Sequence, residues 1–458
     1  MLETALFFFP HCFYPPRTGA HARSVTTINA LKSLGYKVLV VSIAHDAKWN
    51  GFYLWTQDSC NQMATDLGVD VVVIPDEADD LNQIYRNPVN AGPVVVNPPL
   101  HLLEKFKSLI LQVKPTIIFN NYTRWHRLVN PLELIDEDLF NKGALPKPVS
   151  ILEMHDLITV NHWLQSQVNA LIGSPPYDRA LPDNAFLSFT QGTQSQEHIG
   201  GVSGECEIYD SYDITVAISR KEKALVLKNT TNTQIIYLPV VSEVKDLDSP
   251  KKGQTARRVT VVIGPNIFNF QGYLFLTQRI LPCLLEKVSN IKVTIAGDAC
   301  KYLKPVPGVE FLGFVEDLDR LYEETAIALC PLLNGTGQQV KVVEAMARGI
   351  PVVTMAAIAE SSPIEHGVNG LIADDEEQFA QCVTFLLENP DRAMEIGLAA
   401  RETIRREFSQ QTLTETLGAA IESVKMRSGQ HDRKKLSELR EDGILPPAPE
   451  VELTQLFA

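Results

Sequence analysis

The sequence predicts an α/β protein of two domains, each built on a parallel, doubly wound sheet, and three observations carry that prediction. Residues 5–42 read as strand, loop, helix, strand. Residues 326–353 read the same way: an apolar run from Ala326 to Leu333, a Gly/Asn/Thr loop, a helix closed by Gly349, and a strand opened by Pro351. Between these units Ser242 to Arg258 is polar enough to be a linker, and the α/β rhythm restarts at Val259.

At 458 residues the chain suits two or three domains, and a composition 45% apolar and 21% charged is that of a globular protein with a large core. A formal charge of -14 argues against nucleic-acid partners and general attraction to anionic lipid. Seven scattered cysteines, without a CxxC or a Cys/His cluster, read as free thiols in a reducing compartment. The run Leu6–Phe9 has no basic flank and is cut by Pro10, too short for a signal peptide, and no window approaches 18 consecutive apolar residues. The expectation is a cytoplasmic protein with no transmembrane segment.

In the first domain, Ala5 to Phe9 is the first strand and Ala20 to Leu34 the first helix, closed by Gly35 before strand Lys37 to Ser42. Gly19 therefore lies where a strand ends and a helix begins, the place where ligands of doubly wound sheets bind; a tight turn needing one glycine reads the same. Arg17 and Arg23 are candidate phosphate or acceptor ligands, and Arg23 equally suits a solvated helix face. From His45 to Leu100 the pattern loosens around a strand at Val69–Ile74, with an acidic run at Asp76–Asp80 and a Pro/Asn-rich stretch at Asn87–Pro99. Such an insertion suits an acceptor wall or a decorated surface. A helix from His101 to Val113 and a strand from Thr116 to Phe119 lead to Asn121, Tyr122, Arg124 and Trp125, amides, aromatics and a cation suited to a polyhydroxyl acceptor. Trp125 would offer a stacking face, although tryptophan also fills cores.

Strand Val149–Glu153 ends at His155-Asp156, which reads as a metal-ligand pair, a base with its orienter, or a structural histidine. No second His or Cys group is spaced to complete a metal shell, so no metal is expected. Leu171 to Gly204, rich in Gln, Ser, Gly and Pro, suits a mobile acceptor loop. A strand at Ile214–Ile218, Ser219 with a helix near Arg220, and a strand at Ile235–Val240 close the domain.

The second domain's most telling residue is Lys341. A cation in the first turn of a helix opposes the macrodipole and forfeits about 0.3–1 kcal/mol unless an anion sits there. Backbone N–H groups after Gly335 and Gly337 can line such an anion site. Glu344, three residues on and on the same face, offers a carboxylate to two vicinal hydroxyls; a surface Lys–Glu pair is the plainer alternative. Strands at Val259–Gly264, Lys292–Ala296 and Val309–Phe314, helices over Asp375–Arg405 and a last helix at Gln411–Met426 complete the pattern. His431 to Ala458, with Arg433-Lys434-Lys435 and Pro446-Pro447-Ala448-Pro449, is either a packed tail or a disordered end.

The stretch Gly337 to Val353, with Lys341 and then Glu344-Ala345-Met346-Ala347-Arg348-Gly349-Ile350-Pro351-Val352-Val353, resembles the donor-site motif of retaining nucleotide-sugar glycosyltransferases of the GT-B class, most like family 4, the glycosyl transferases of group 1. The resemblance implies two Rossmann-like domains facing across a cleft: residues 1–241 for the acceptor, 242–258 a linker, 259–426 for the donor, and 427–458 a tail. It implies that Lys341 steadies the diphosphate, Glu344 the ribose, and that Thr336, Gly337, Gln338, Gln339, Gly264, Asn266 and Gln271 surround the donor. Gly313 and Phe314 would border the base, Gly19 would face the donor across the cleft, and His155 would meet the donor sugar near the reacting carbon. Two departures stand out. Thr336 occupies a position where many members carry a second Glu, and Gly264-Pro265-Asn266 with Gln271-Gly272 replaces turns that usually supply cations. The expected activity is metal-independent, cofactor-free transfer from a nucleotide-diphosphate sugar to a saccharide, lipid-linked or protein acceptor. A sugar-nucleotide epimerase or phosphorylase on the same scaffold, and a non-catalytic glycosyltransferase-like subunit, are the other readings.

Overall fold

The computed structural model describes residues 3–44, 54–75, 95–141, 145–182, 186, 202–245, 258–288 and 291–441. It holds two all-parallel sheets. The first has seven strands in the order β3-β2-β1-β4-β5-β6-β7, with β1 Thr4–Phe8, β2 Lys37–Ala44, β3 Asp70–Pro75, β4 Ile117–Asn121, β5 Val149–Glu153, β6 Ile214–Ala217 and β7 Gln234–Tyr237. The second has six in the order β10-β9-β8-β11-β12-β13, with β8 Arg258–Val262, β9 Lys292–Ala296, β10 Val309–Gly313, β11 Ile327–Cys330, β12 Val352–Met355 and β13 Leu371–Ala373. The helices used below are α1 Gly19–Ser33, α2 Gln57–Leu67, α3 Leu100–Val113, α4 Ile158–Ile172, α5 Val202–Asp210, α6 Arg220–Asn229, α7 Ile267–Phe275, α8 Val340–Ala347, α9 Glu376–Glu388, α10 Pro390–Glu407 and α11 Gln410–Glu441.

The order of each sheet reverses once, between β1 and β4 and between β8 and β11. Loops leaving the carboxyl ends of those strands diverge and leave a crevice, the usual ligand site of such sheets. Burial on both faces explains why β1 is apolar throughout instead of alternating. Leu6 and Phe8 point to one side, against Leu102, Phe106 and Ile110 of α3. Ala5, Phe7 and Phe9 point to the other, against Ile28 and Leu31 of α1.

Two sequence expectations change, at the loosened region and at the start of the tail, while others stand or fall outside the described residues. The loosened region contains α2, opened by a reciprocal Thr56–Ser59 capping box; only Met63 and Leu67 of the helix are buried, so its apolar pattern is faint. The acidic run at 76–80 and most of the Pro/Asn-rich stretch lie outside the described residues, as do 183–185 and 187–201 of the expected acceptor loop. The last helix, numbered with the second domain and implied by the resemblance to cross back, does pack on the first: Leu413, Leu417, Ala420, Ile421 and Val424 share the core with Ile28 and Leu31. That helix also runs on to Glu441, through most of what was expected to be the start of a tail; 442–458 lie outside the described residues.

The two sheets are joined by more than the linker. α4 of the first domain packs against α7 of the second, and Leu157, Val160, Leu164 and Val168 form one apolar cluster with Phe268, Phe270 and Tyr273. Tyr177, beyond α4, stacks on Phe270 with ring centres 4.3 Å apart. Among the described residues no helix is long and apolar enough to cross a membrane.

Candidate functional site

In α8, Val342, Val343, Met346 and Ala347 are buried, which fixes the helix by its apolar face and leaves Lys341 and Glu344 half-buried beside it. The helix begins without a side-chain cap and with no acidic residue in its first turn. Lys341 stands there, half-buried, its Nζ donating to Oδ1 of Asn269. Asn269 in turn donates Nδ2 to the Gly264 carbonyl at 3.0 Å. Lys341, which follows β11, thus reaches the turn that follows β8, across the point of sheet reversal. Burial lowers its pKa while the neighbouring Cys330 thiol raises it, and among the described residues no carboxylate pairs with it.

One turn along, burial raises the Glu344 carboxyl and the Arg348 guanidinium opposes that rise. Arg348 is itself drawn to Asp319, 2.7 Å from its Nε, and gives NH1 to the Glu344 backbone carbonyl at 3.0 Å. Gly313 has φ +68 and accepts from the Gly297 amide at 2.6 Å. Gly297 is irreplaceable there, because a Cβ would stand 2.0 Å from the Ile263 carbonyl oxygen. Beyond Gly313 the Phe314 ring is 69% exposed, an unobstructed stacking face at the rim.

The glutamine and asparagine candidates divide. Asn266 spends its side chain capping α7 through the Phe268 amide at 2.9 Å, a structural duty. Gln271 is fully buried, and its Oε1 accepts from Asn334 at 3.1 Å, tying α7 to the loop before α8. Gln338 accepts the Val240 amide at 2.7 Å. Nε2 of Gln271 and of Gln338 are buried without a hydrogen-bond partner among the described residues. Gln339 presses its amide on Gly335, where a Cβ would come 2.9 Å from Nε2.

From the first domain come two non-glycine residues at positive φ, Tyr122 at 73° and His155 at 58°, at the ends of adjacent strands β4 and β5. Such backbone is costly for a bulky residue and persists only where the surroundings hold it. Here the rings stack on each other, centres 4.0 Å apart and 17° from parallel. Asn121, fully buried, donates to the Phe8 carbonyl at 2.7 Å and accepts from His155 Nε2 at 3.1 Å, which leaves Nδ1 as the lone-pair nitrogen. Burial, with Arg23 and His11 nearby, holds the His155 pKa well below its ordinary value, so the ring is neutral. Beneath it Arg23 and Glu153 form a fully buried ion pair, and burial brings Arg23 down to about 9. Arg23 is therefore neither a solvated residue nor a free ligand.

The expected acceptor constellation is only partly at the surface. Trp125 is 1% exposed and sits edge-on to Phe8, so it fills the core, and Asn121 positions His155 instead of facing solvent. Tyr122 and Arg124 are half-buried, and Arg17 is exposed. Burial, together with the Arg17 charge, pushes His21 down to about 4.

The domains meet at the loop before α8. A Cβ on Gly19 would lie 3.3 Å from Val340, so the first-domain loop touches the start of α8. Asn161 of α4 donates to the Thr336 hydroxyl at 2.5 Å, and that hydroxyl bonds to Asp156. The Gly337 amide, expected to face an anion, donates instead to Glu222 Oε1 at 3.1 Å. Glu222 also accepts from the Leu157 amide at 3.2 Å and the Ser219 hydroxyl at 2.7 Å. Sequence reasoning passed over Glu222, although Ser219-x-x-Glu222 is a capping-box spacing that could have drawn notice. Asn161 and Asn269 carry no comparable signal. Among the described residues no group of three or more His, Cys, Asp or Glu is placed to hold a metal.

With this geometry in hand, comparison with known proteins is informative. Residues 257–389 match the family model "Glycosyl transferases group 1". Over 152 residues the chain is 27% identical to an uncharacterised 44.6 kDa protein in the cps region of Klebsiella pneumoniae, a match spanning 31% of this chain and 39% of that protein. Among solved structures, Anabaena HepE in complex with UDP and glucose is 13% identical with TM-score 0.54, covering 92% of this chain and 100% of that one. The lipopolysaccharide outer core galactosyltransferase WaaB is 12% identical with TM-score 0.53, covering 92% and 99%. Sucrose-phosphate synthase from Thermosynechococcus elongatus is 14% identical with TM-score 0.51, covering 95% and 100%. Residues 257–389 are thus similar to the glycosyl transferases of group 1, and the chain has the two-domain α/β architecture of the GT-B class.

Proposed function

We propose that the chain transfers a glycosyl unit from a nucleoside diphosphate sugar to a saccharide, lipid-linked or protein acceptor, with retention of configuration and without a metal. The observation that carries this is Lys341, a half-buried cation with no carboxylate partner among the described residues, in the first turn of an uncapped helix at the reversal point of the second sheet. Negative charge at that point would be stabilised by the ammonium and the helix dipole together. Both would act more strongly as charge builds on the departing diphosphate, which lowers the barrier instead of only tightening binding. Glu344 would accept from the ribose hydroxyls, Phe314 would stack on the base, and neutral His155 would meet the sugar with its ring held by Asn121 and Tyr122. The HepE structures with UDP and with UDP-glucose support a nucleotide of this kind. The acceptor would approach from the side of Tyr122, Arg124 and Arg17.

The test is to incubate the full chain with UDP-, GDP- and ADP-sugars and candidate acceptors, with and without EDTA. Release of nucleoside diphosphate that survives EDTA, with the anomeric configuration of the donor kept in the product, is expected. Transfer abolished by EDTA, or an inverted product, would contradict the metal-independent, retaining reading.

A further inference from the structure

Three carboxyl groups converge where the first domain meets the loop before α8: Asp156 after β5, Glu205 in α5 and Glu222 in α6. Two of them are saturated by the protein. Glu205 takes the Ile158 and Thr159 amides at 2.9 Å each and the Tyr209 hydroxyl at 2.6 Å. Glu222 takes three donors, one of them the Gly337 amide. Asp156 differs. It is partly exposed, its Oδ1 would stand 2.8 Å from a Cβ on Gly337, and its carboxyl is bonded to the Thr336 hydroxyl that Asn161 also holds.

We propose that Asp156 is a specificity residue of the donor pocket, a carboxyl lent by the first domain that reads a hydroxyl of the transferred sugar beside Thr336. This rests on the donor-site reading above. The chain of groups Asn161, Thr336, Asp156 crosses the domain seam, so the sugar contact exists only with the two domains together. Burial and the charges of Glu222 and Glu205 raise the Asp156 carboxyl to about 8. The other groups facing it are His155, neutral in the same turn, and Tyr122, whose phenol the Asp156 charge pushes up further. A neutral carboxyl both donates and accepts, which suits one sugar hydroxyl in one orientation. A site built to bond a hydroxyl discriminates strongly against a ligand that lacks it there.

The experiment measures binding of UDP, GDP and ADP, and of their glucose, galactose, mannose and N-acetylglucosamine conjugates, to the full-length wild type and to Asp156→Asn. For the nucleotide that binds, the variant is expected to keep the bare-nucleotide affinity within about twofold and to lose about tenfold or more of the preference between sugar epimers. In the wild type the extra affinity contributed by the sugar should fall as pH rises past about 8, and in the variant it should be flat. Asp156→Ser gives the same comparison should the Asn variant misfold. Nucleotide binding with unchanged epimer ranking and pH profile in the variants would overturn the role of Asp156 alone. Failure of the wild type to bind any of the nucleotides would overturn the donor-site reading, and this inference with it.

Discussion

Arg23, Lys341 and Asp156 each bring a charge-bearing group into surroundings that disfavour charge, and each has a different consequence. Arg23 is matched by Glu153, and removing one member of a buried pair strands the other. Arg23→Met is therefore expected to lower stability by roughly 3–5 kcal/mol, read from denaturant melts, with Arg23→Met/Glu153→Leu recovering much of the loss. Asp156 binds its proton more tightly in the folded state, at about 8 against an ordinary 3.8. The folded chain then holds a proton that the unfolded chain releases, so this residue's contribution to stability falls as pH rises from about 4 to about 8. Asp156→Asn should melt progressively higher relative to wild type across that window; a difference that does not change with pH would contradict the buried carboxyl cluster. Sequence legibility was uneven at this scale. Lys341 drew notice because a cation in the first turn opposes the helix dipole, and the structure does place it in that turn. Trp125, Asn121 and Arg23 misled because residue type alone does not tell which face of the sheet or helix a side chain takes.

Among the elements, the loop before α8 is the point where the domains touch, and Gly337 is its tightest residue. Its φ of +65 strains any other residue, and a Cβ would sit 2.8 Å from Asp156 Oδ1 and 3.0 Å from Ile218 Cδ1. Gly337→Ala is expected to break the Gly337–Glu222 bond and loosen the seam, weakening sugar-nucleotide binding more than bare-nucleotide binding. Calorimetry with both ligands checks this, and equal losses would place the effect elsewhere. The strands of both sheets were legible because parallel strands buried on two faces appear as near-continuous apolar runs, as in Leu6–Phe9 and Val259–Ile263. α2 was not, since its helix is specified by a polar capping box and only two buried side chains. The contact of the Gly337 amide with Glu222 was equally hidden, because it joins residues more than a hundred positions apart.

At the scale of the whole molecule, the two domains share structure. α11 leaves the second domain and completes the core of the first, while α4 and α7 join residues of both domains in one apolar cluster. Leu417, fully buried in α11, makes this testable: Leu417→Ala should cost about 2–5 kcal/mol and lower the melting temperature, although the residue lies far along the chain from the sheet it covers. The two-domain α/β plan was legible from local rhythm. The return of α11 to the first domain was implied by the family resemblance and not by its own residues, since an amphipathic helix does not declare which core it fills. The central claim concerns the crevice between the domains, that α8 presents Lys341 to a nucleoside diphosphate. Its most direct test is the thermal shift of the full chain with UDP, GDP, ADP and CMP, in wild type and Lys341→Ala. Saturating ligand at a hundred times its dissociation constant adds about 2.7 kcal/mol, and loss of a charge-assisted bond removes about 1.5–3 kcal/mol of affinity. A selective shift by one nucleotide, largely lost in Lys341→Ala while the unliganded melting temperature is maintained, is the predicted result. A shift of equal size in the variant would contradict the account.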